Sequence, residues 1–207
     1  MTLEEEVSNR ILTAPNVISI IRLTLITLYI GMLLDGNNFS ATAVFAIAAA
    51  SDFIDGQIAR RTHQVSKLGQ VLDPIVDRAL LISAVIMLLI LGRLPLWVPI
   101  LVIARDAFLL TGGGFLLSRF SIRIPVVFIG KVATTLLYIG FVLLLLNAPL
   151  IPGLHMLSSP AFPGLSYDAP LGIWFVYIGL LLSMGVTVYY FIQGLCALVA
   201  ALRGAHE

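Results

Sequence analysis

Long apolar stretches recur throughout this chain, and they limit its possible folds more than any other feature of the sequence. Of its 207 residues, 59% are hydrophobic and 11% are charged, and the mean hydropathy is +1.05. A helix needs about 20 mostly apolar residues to cross a hydrocarbon core, and it satisfies its own backbone hydrogen bonds there. The sequence therefore predicts an all-α, polytopic membrane protein with six transmembrane helices. The predicted spans are residues 17–34, 40–60, 69–91, 95–117, 131–146 and 172–200.

The rest of the composition indicates one membrane domain over residues 1–207, with residues 1–14 as a short N-terminal juxtamembrane segment. A single cysteine, Cys196, excludes an internal disulfide, and a formal charge of +1 gives no reason to expect a nucleic-acid partner. The acidic N-terminus lacks a short apolar core followed by a small-residue cleavage site, so no signal peptide is expected.

Basic residues indicate how the spans are oriented. With six spans, both termini share a side with the second-to-third and fourth-to-fifth links. Eight Lys and Arg residues fall on or at that side, whereas only Arg93 falls opposite. Because cytoplasmic segments carry the excess of Lys and Arg, both termini are predicted to be cytoplasmic. The eight are Arg10, Arg60, Arg61, Lys67, Arg119, Arg123, Lys131 and Arg203.

Four aspartates stand beside or inside the apolar runs: Asp52, Asp55, Asp73 and Asp77. Residues three or four apart on a helix project from one face, so two such pairs facing each other would form a box of carboxylates. Carboxylates that meet away from bulk water repel one another, and divalent cations would remove that conflict. Oxygen ligands favour Mg²⁺ or Mn²⁺ over zinc, since His63 in the link is the motif's only histidine.

Small and basic residues accompany the aspartates. Gly56 is less favourable than alanine in a helix by about 1 kcal/mol, which indicates that something approaches the backbone there. Ala59 keeps the same face small one turn later. Arg60 and Lys67 add positive charge at the mouth of the box. The pattern is typical of a site for a metal together with a phosphate.

The spacing Asp-x2-Asp-Gly-x2-Ala-Arg-x8-Gly-x3-Asp-x3-Asp over Asp52–Asp77 resembles the signature of the CDP-alcohol phosphotransferase family at every defined position. The six-span layout is also similar to that family's. The resemblance implies an enzyme that transfers the phosphatidyl group of CDP-diacylglycerol to an alcohol and releases CMP. It also implies two divalent cations.

The resemblance assigns roles by position. Asp52 and Asp73 would bridge both metals, Asp55 would bind one, and Asp77 would bind the other and act as general base. A further set of residues would contact the CDP-lipid. These are Gly56, Ala59, Arg60, Ser66 and Gly69 around the CDP group, and Pro15, Asn16, Val17 and Ile18 at the entry to the first span.

The acceptor is suggested by cations on neighbouring spans: Arg105, Lys131, Arg119 and Arg123. They would hold an alcohol that already carries a phosphate, which favours sn-glycerol 3-phosphate. The short motifs Leu-Asp-Pro at 72–74 and Gly-Lys-x-x-Thr-Thr at 130–135 resemble those of the family branch that forms phosphatidylglycerophosphate. Inositol phosphate and phosphatidylglycerol are alternative acceptors, and simple positive-inside anchoring is an alternative role for these cations.

The sequence leaves alternatives open for the role of Arg22, for the glycine run in the fourth span and for the class of protein. Arg22 inside the first span either reaches back to the interface or faces the bundle interior and holds an anion or an aspartate. The run Gly112–Gly114 indicates close backbone contact or a helix break. A six-span ion or proton transporter, or a non-catalytic membrane protein, is the alternative from a different class. His155 is expected to lie in an ordinary outer loop.

The cellular setting is predicted to be a bacterial inner membrane, with the active site facing the cytoplasm. The family tendency and the small-residue helix faces favour a homodimer.

Overall fold

The structure is a computed structural model that describes residues 14–62, 67–120, 125, 127–156, 159 and 161–204. Within those ranges it describes the backbone alone for residues 14–16, 52–62, 67–74 and 200–204. The described chain is mainly α-helical, which confirms the predicted all-α class; six membrane spans and the side on which the termini lie stay predictions.

The described chain forms six helices in two compact units. The first unit contains α1 (Ala14–Leu34), α2 (Asn38–Thr62) and α3 (Lys67–Ile90), together with residues 145–147. The second contains α4 (Trp97–Phe120), α5 (Phe128–Leu146, without its last two residues) and α6 (Gly172–Gly204). It also contains β1 (Leu150–Ile151) and β2 (Ala169–Pro170).

Four of these helices are long and apolar enough to cross a membrane within the described residues, so the chain is a multi-pass membrane protein. They are α1, α4, α5 and α6. α2 contributes a shorter apolar stretch, Asn38–Ser51. Four helices extend beyond the predicted spans by three or four residues at one end: α1 at its start, α4 at its end, α5 at its start and α6 at its end. α4 continues to Phe120 and α5 begins at Phe128, because a helix keeps its own hydrogen bonds where the sequence becomes polar.

The interior of the first unit is organised by one face of α1. Residues spaced alternately three and four apart are buried, which is the spacing of a single helix face. Ring centroids of Tyr29 on α1 and Phe45 on α2 lie 5.3 Å apart in an edge-to-face contact. Asn37 caps the start of α2, where its Oδ1 accepts the backbone N–H of Ser40 at 3.3 Å. The buried face of α1 comprises Ser19, Arg22, Ile26, Tyr29 and Leu33.

Close backbone approach marks the second unit. A Cβ added to Gly172 on α6 would lie 2.5 Å from the carbonyl oxygen of Gly140 on α5, so only glycine fits there. At the start of α5 the hydroxyl of Tyr190 accepts the N–H of Val127 at 2.8 Å. At its end, Nη1 of Arg93 donates to the carbonyl of Leu144 at 3.1 Å. Burial lowers the pKa of the Arg93 guanidinium.

The segment between α5 and α6 was predicted as a loop, and within it the structure adds a short antiparallel pairing of Leu150 with Pro170 and Ile151 with Ala169. The indole N–H of Trp97 donates to the carbonyl of Ala161 at 2.7 Å and anchors this segment to α4. His155 is exposed there, with Nε2 3.7 Å from an Asp168 carboxylate oxygen, as expected for a loop residue.

Of the two expectations for Gly112–Gly114, the helix break is wrong and the close backbone contact is not seen among the described residues. α4 is continuous through them to Phe120, so the helix does not break. A Cβ at any of the three would meet no described atom within 4 Å, so close backbone contact is absent in the described chain. The glycines lie on helix surface that the described residues leave open.

Candidate active site

The two halves of the aspartate motif lie on two helices of one unit. Asp52 and Asp55 lie on α2, three residues apart, and Asp73 and Asp77 lie on α3, four residues apart. This confirms the helical backbone on which the spacing argument depended. The side chains of Asp52, Asp55 and Asp73 lie outside the described residues, so the box of four carboxylates stays a prediction.

α1 is the helix that joins these halves. Among the described residues it packs extensively against both α2 and α3, whereas the direct contact between α2 and α3 is small. Val76 and Leu80 of α3 and Ala48 of α2 are almost completely buried around it. Among the described residues, α1 is therefore the main link between α2 and α3.

Arg22 of α1 reaches Asp77 of α3. Its Nη1 donates to Oδ1 of Asp77 at 2.6 Å, a short charge-assisted hydrogen bond. The Arg22 side chain is 1% exposed and the Asp77 side chain 32% exposed. Of the two readings of Arg22, the interior one is confirmed: the guanidinium holds an aspartate and does not reach back to the interface.

The same guanidinium also reaches α2. Nε of Arg22 donates to the hydroxyl of Ser51 at 3.2 Å, and that hydroxyl donates to the carbonyl of Ala48 at 2.8 Å. Ser51 is the residue directly before Asp52. A cation on α1 thus contacts the last aspartate of the motif and the residue beside the first.

The electrostatics of this arrangement follow from burial. A charged side chain at membrane depth is unfavourable by at least about 2.5–3.5 kcal/mol unless it is paired or reaches water. Arg22 is paired with Asp77, and Asp77 retains access to solvent. About two helical turns after Arg22 on α1, the buried hydroxyl of Tyr29 donates to Oγ of Ser83 at 2.6 Å. This bond gives α1 and α3 a further polar contact.

The donor chemistry fits a hard divalent cation. A carboxylate offers about four lone-pair positions, so accepting one bond from Arg22 leaves Asp77 capable of binding a metal. Asp77 is also partly exposed, so an ion can reach it. Among the residues whose side chains are described, no group of three acidic, histidine or cysteine side chains could hold a metal, and the other three aspartates lie outside that set.

The residues predicted to contact the CDP-lipid are distributed over the same unit. Gly56, Ala59 and Arg60 lie on α2, and Gly69 lies near the start of α3. Pro15 and Asn16 lie in the first turn of α1, followed by Val17, which is 39% exposed, and Ile18, which is half-buried. Ser66 lies outside the described residues. The roles of all these residues stay predictions.

The predicted acceptor residues lie in the second unit. Nη1 of Arg105 donates to Oδ1 of Asp106 at 2.8 Å, and both side chains are largely buried, so the expectation that they avoid lipid is confirmed. Arg119 in the last turn of α4 and Lys131 in the first turn of α5 are exposed. Arg123 lies outside the described residues. The role of all four cations in acceptor binding stays a prediction.

Sequence reasoning missed the contribution of Ser51. Serine is common in helices rich in small residues, where it usually serves close packing. The signal that was available is its place directly before Asp52. The bond between Tyr29 and Ser83 was missed as well, because the two residues are 54 positions apart and no local pattern joins them.

Comparison with known proteins places this site in a family. Residues 12–185 match the family model of the CDP-alcohol phosphatidyltransferases. A putative cardiolipin synthase of Mycobacterium tuberculosis is 38% identical over 140 residues, which cover 67% of each chain. The cardiolipin synthase (CMP-forming) of Streptomyces coelicolor is 38% identical over 147 residues, or 68% of each chain.

A third relative is named for a different activity. A probable phosphatidylglycerophosphate synthase of Mycobacterium tuberculosis is 34% identical over 103 residues, which cover 47% of this chain and 49% of the relative. The family model covers most of the sequence and includes both halves of the aspartate motif. The chain therefore belongs to the CDP-alcohol phosphatidyltransferase family.

Proposed function

We propose that this enzyme transfers the phosphatidyl group of CDP-diacylglycerol to sn-glycerol 3-phosphate, giving phosphatidylglycerophosphate and CMP. The observation that carries the proposal is a complete aspartate signature on α2 and α3 whose last member, Asp77, is partly exposed beside the buried Arg22. A membrane site of this kind suits a donor whose acyl chains stay in lipid while its diphosphate meets charged groups.

The reaction is a substitution at phosphorus. The acceptor hydroxyl oxygen bonds to the phosphorus that carries the diacylglycerol, and the bond from that phosphorus to the CMP oxygen breaks. Asp77 takes the proton of the attacking hydroxyl, and CMP leaves with the electron pair of the broken bond. Arg22 holds one carboxylate oxygen of Asp77 while this happens.

Asp52, Asp55, Asp73 and Asp77 are the residues that we assign to two divalent ions, Mg²⁺ or Mn²⁺. When bound, such ions supply neutralisation of the diphosphate and of the charge on the leaving phosphate. Gly56, Ala59, Arg60 and Gly69 are assigned to the CDP group. Ser66 and the α1 entry at residues 15–18 are assigned to the same donor.

Acceptor binding is assigned to cations that suit a free phosphate monoester. Lys131 and Arg119 are exposed, and a doubly charged phosphate gains most from such residues. Arg123 and Arg105 are weaker members of the set, since the charge of Arg105 is shared with Asp106.

Phosphatidylglycerol is a second candidate acceptor, which would make the product cardiolipin. The specific observation in its favour is that the relatives named cardiolipin synthase match more of this chain, 67–68%, than the relative named phosphatidylglycerophosphate synthase, 47%. The two acceptors share their reacting unit, because each presents a primary hydroxyl on a glycerol whose other end carries a phosphate. They differ in whether that phosphate is free or bears a lipid.

The setting proposed for the site is cytoplasmic. Six spans with both termini in the cytoplasm follow from the distribution of Lys and Arg, and a bacterial inner membrane suits a site that takes a soluble phosphate from that side. A homodimer is proposed from the family tendency. Membership in an enzyme family argues against the transporter and non-catalytic alternatives.

The decisive experiment measures CMP release by the purified protein from labelled CDP-diacylglycerol with Mg²⁺ or Mn²⁺. Parallel reactions contain glycerol 3-phosphate, phosphatidylglycerol, inositol phosphate or no acceptor. We expect release with glycerol 3-phosphate and a phosphatidylglycerophosphate product. Release with phosphatidylglycerol alone would establish the second candidate, and no release with any acceptor from folded protein would refute the proposed activity.

A further inference from the structure

Two contacts of the buried Arg22 guanidinium, among those that the structure describes, lead to different helices. One donor, Nη1, lies 2.6 Å from Oδ1 of Asp77 on α3. The other, Nε, lies 3.2 Å from Oγ of Ser51 on α2. Ser51 precedes Asp52 in the chain. The two contacts therefore join the first aspartate position of the motif to the last through a third helix.

This connection matters because α2 and α3 have little direct contact among the described residues. Each packs mainly on α1. Apolar packing on α1 sets the distance between them but tolerates small rotations and shifts along the helix axis. A planar guanidinium with donors in fixed directions limits those movements, and a lysine ammonium lacks that fixed fork.

The position of Arg22 could be occupied by an apolar side chain if packing were its only role. If α1 only had to pack at this point, a leucine or methionine would fill the space without burying a charge. Instead the chain places a cation with 1% of its side chain exposed against the aspartate assigned as general base. The buried charge of Arg22 therefore indicates that the directions of its N–H donors are needed as well as the volume of its side chain.

We propose that Arg22 is a positioning residue for phosphatidyl transfer, which holds Asp77 and the Asp52 end of α2 at the separation that metal binding and proton transfer require. This rests on the proposed function, since both aspartates are assigned to the metal site there. Arg22 does not touch the substrate; it acts through Asp77 and Ser51.

The test uses two variants that remove the fork by different routes. Arg22→Lys keeps the positive charge and loses the two fixed donors, and Ser51→Ala removes only the contact with α2. The full-length purified protein is first titrated with Mn²⁺ in the absence of substrates, and the thermal midpoint is followed. Then kcat and the KM for CDP-diacylglycerol are measured.

We expect the Mn²⁺ concentration at half-maximal stabilisation to rise about tenfold in Arg22→Lys and severalfold in Ser51→Ala. We expect kcat to fall by at least about tenfold in Arg22→Lys, with little change in the KM for the donor. Arg93→Lys is the matched control, because Arg93 is a partly buried arginine that contacts a backbone carbonyl in the second unit. It should leave the Mn²⁺ midpoint unchanged.

A merely structural role gives a different pattern. Arg22→Lys and Arg93→Lys would then both lower the thermal midpoint measured without metal. The Mn²⁺ concentration at half-maximal stabilisation and kcat would stay at wild-type values in Arg22→Lys. That pattern overturns the proposal, as does a wild-type protein that Mn²⁺ does not stabilise. If Arg22→Lys does not fold, Ser51→Ala decides by the same criteria. Failure of the proposed function is seen separately, as wild-type protein that binds Mn²⁺ but releases no CMP.

Discussion

Asp77→Asn tests the assigned general base, and the structure predicts that it will also change stability. The substitution removes one negative partner of Arg22, whose side chain is 1% exposed. Removing one member of a buried ion pair is unfavourable by about 3–5 kcal/mol. Because Asp77 is 32% exposed, solvent screens the pair, and we expect a smaller loss of about 2–3 kcal/mol.

That free energy corresponds to a measurable shift in melting. For a chain of this size, 1 kcal/mol shifts the thermal midpoint by about 2–4 °C, so Asp77→Asn should melt about 4–12 °C below wild type. Thermal unfolding in detergent micelles measures the shift. CMP release should be abolished, while binding of CDP-diacylglycerol is largely retained, because the substitution keeps the size and shape of the side chain.

A double substitution separates the two effects. Arg22→Gln together with Asp77→Asn replaces the ion pair by two neutral amides that can bond to each other, so most of the lost stability should return while activity stays absent. Asp35→Asn, at an exposed turn position, is the control and should stay within about 0.5 kcal/mol of wild type. A single Asp77→Asn variant that melts like wild type would refute the stabilising pair. Near-normal turnover would remove Asp77 as the base.

Three further predictions address the acceptor, the metal and the packing. Lys131→Ala should raise the KM for glycerol 3-phosphate about tenfold with little change in kcat, and an unchanged acceptor KM in steady-state assays would contradict the role of Lys131. Arg105→Ala should mainly lower stability, because the buried Asp106 carboxylate loses the positive charge of Arg105. Chelation by EDTA should abolish CMP release, and Mg²⁺ or Mn²⁺ should restore it better than Zn²⁺, as measured by titration of each metal. Tyr29→Phe should lower the free energy of unfolding by about 1 kcal/mol, and a double-mutant cycle with Ser83→Ala should give a coupling of about 0.6–1.7 kcal/mol; a coupling near zero would show that the 2.6 Å bond contributes nothing.

The helices were predictable because their cause is local. Apolar runs long enough for a membrane fold as helices wherever they occur, so α1, α4, α5 and α6 begin and end within a few residues of the predicted spans. The exact helix boundaries were less predictable by three or four residues, since a helix continues past its apolar stretch as long as its backbone bonds are made. The glycine run in α4 was misread for a related reason, because a helix surface can tolerate glycine when nothing packs against it.

The candidate site divides in the same way between sequence and structure. The sequence by itself indicated the chemistry. Four aspartates at helical spacing predict divalent cations, because cations offset carboxylates so placed, and the family resemblance of the motif implies a CDP-lipid as the donor. Only the tertiary structure decided which of its two open roles Arg22 plays. Its bonds to Asp77 and Ser51 cross 55 and 29 residues of chain, and such contacts depend on how α1 packs against α2 and α3, not on any periodicity within a helix.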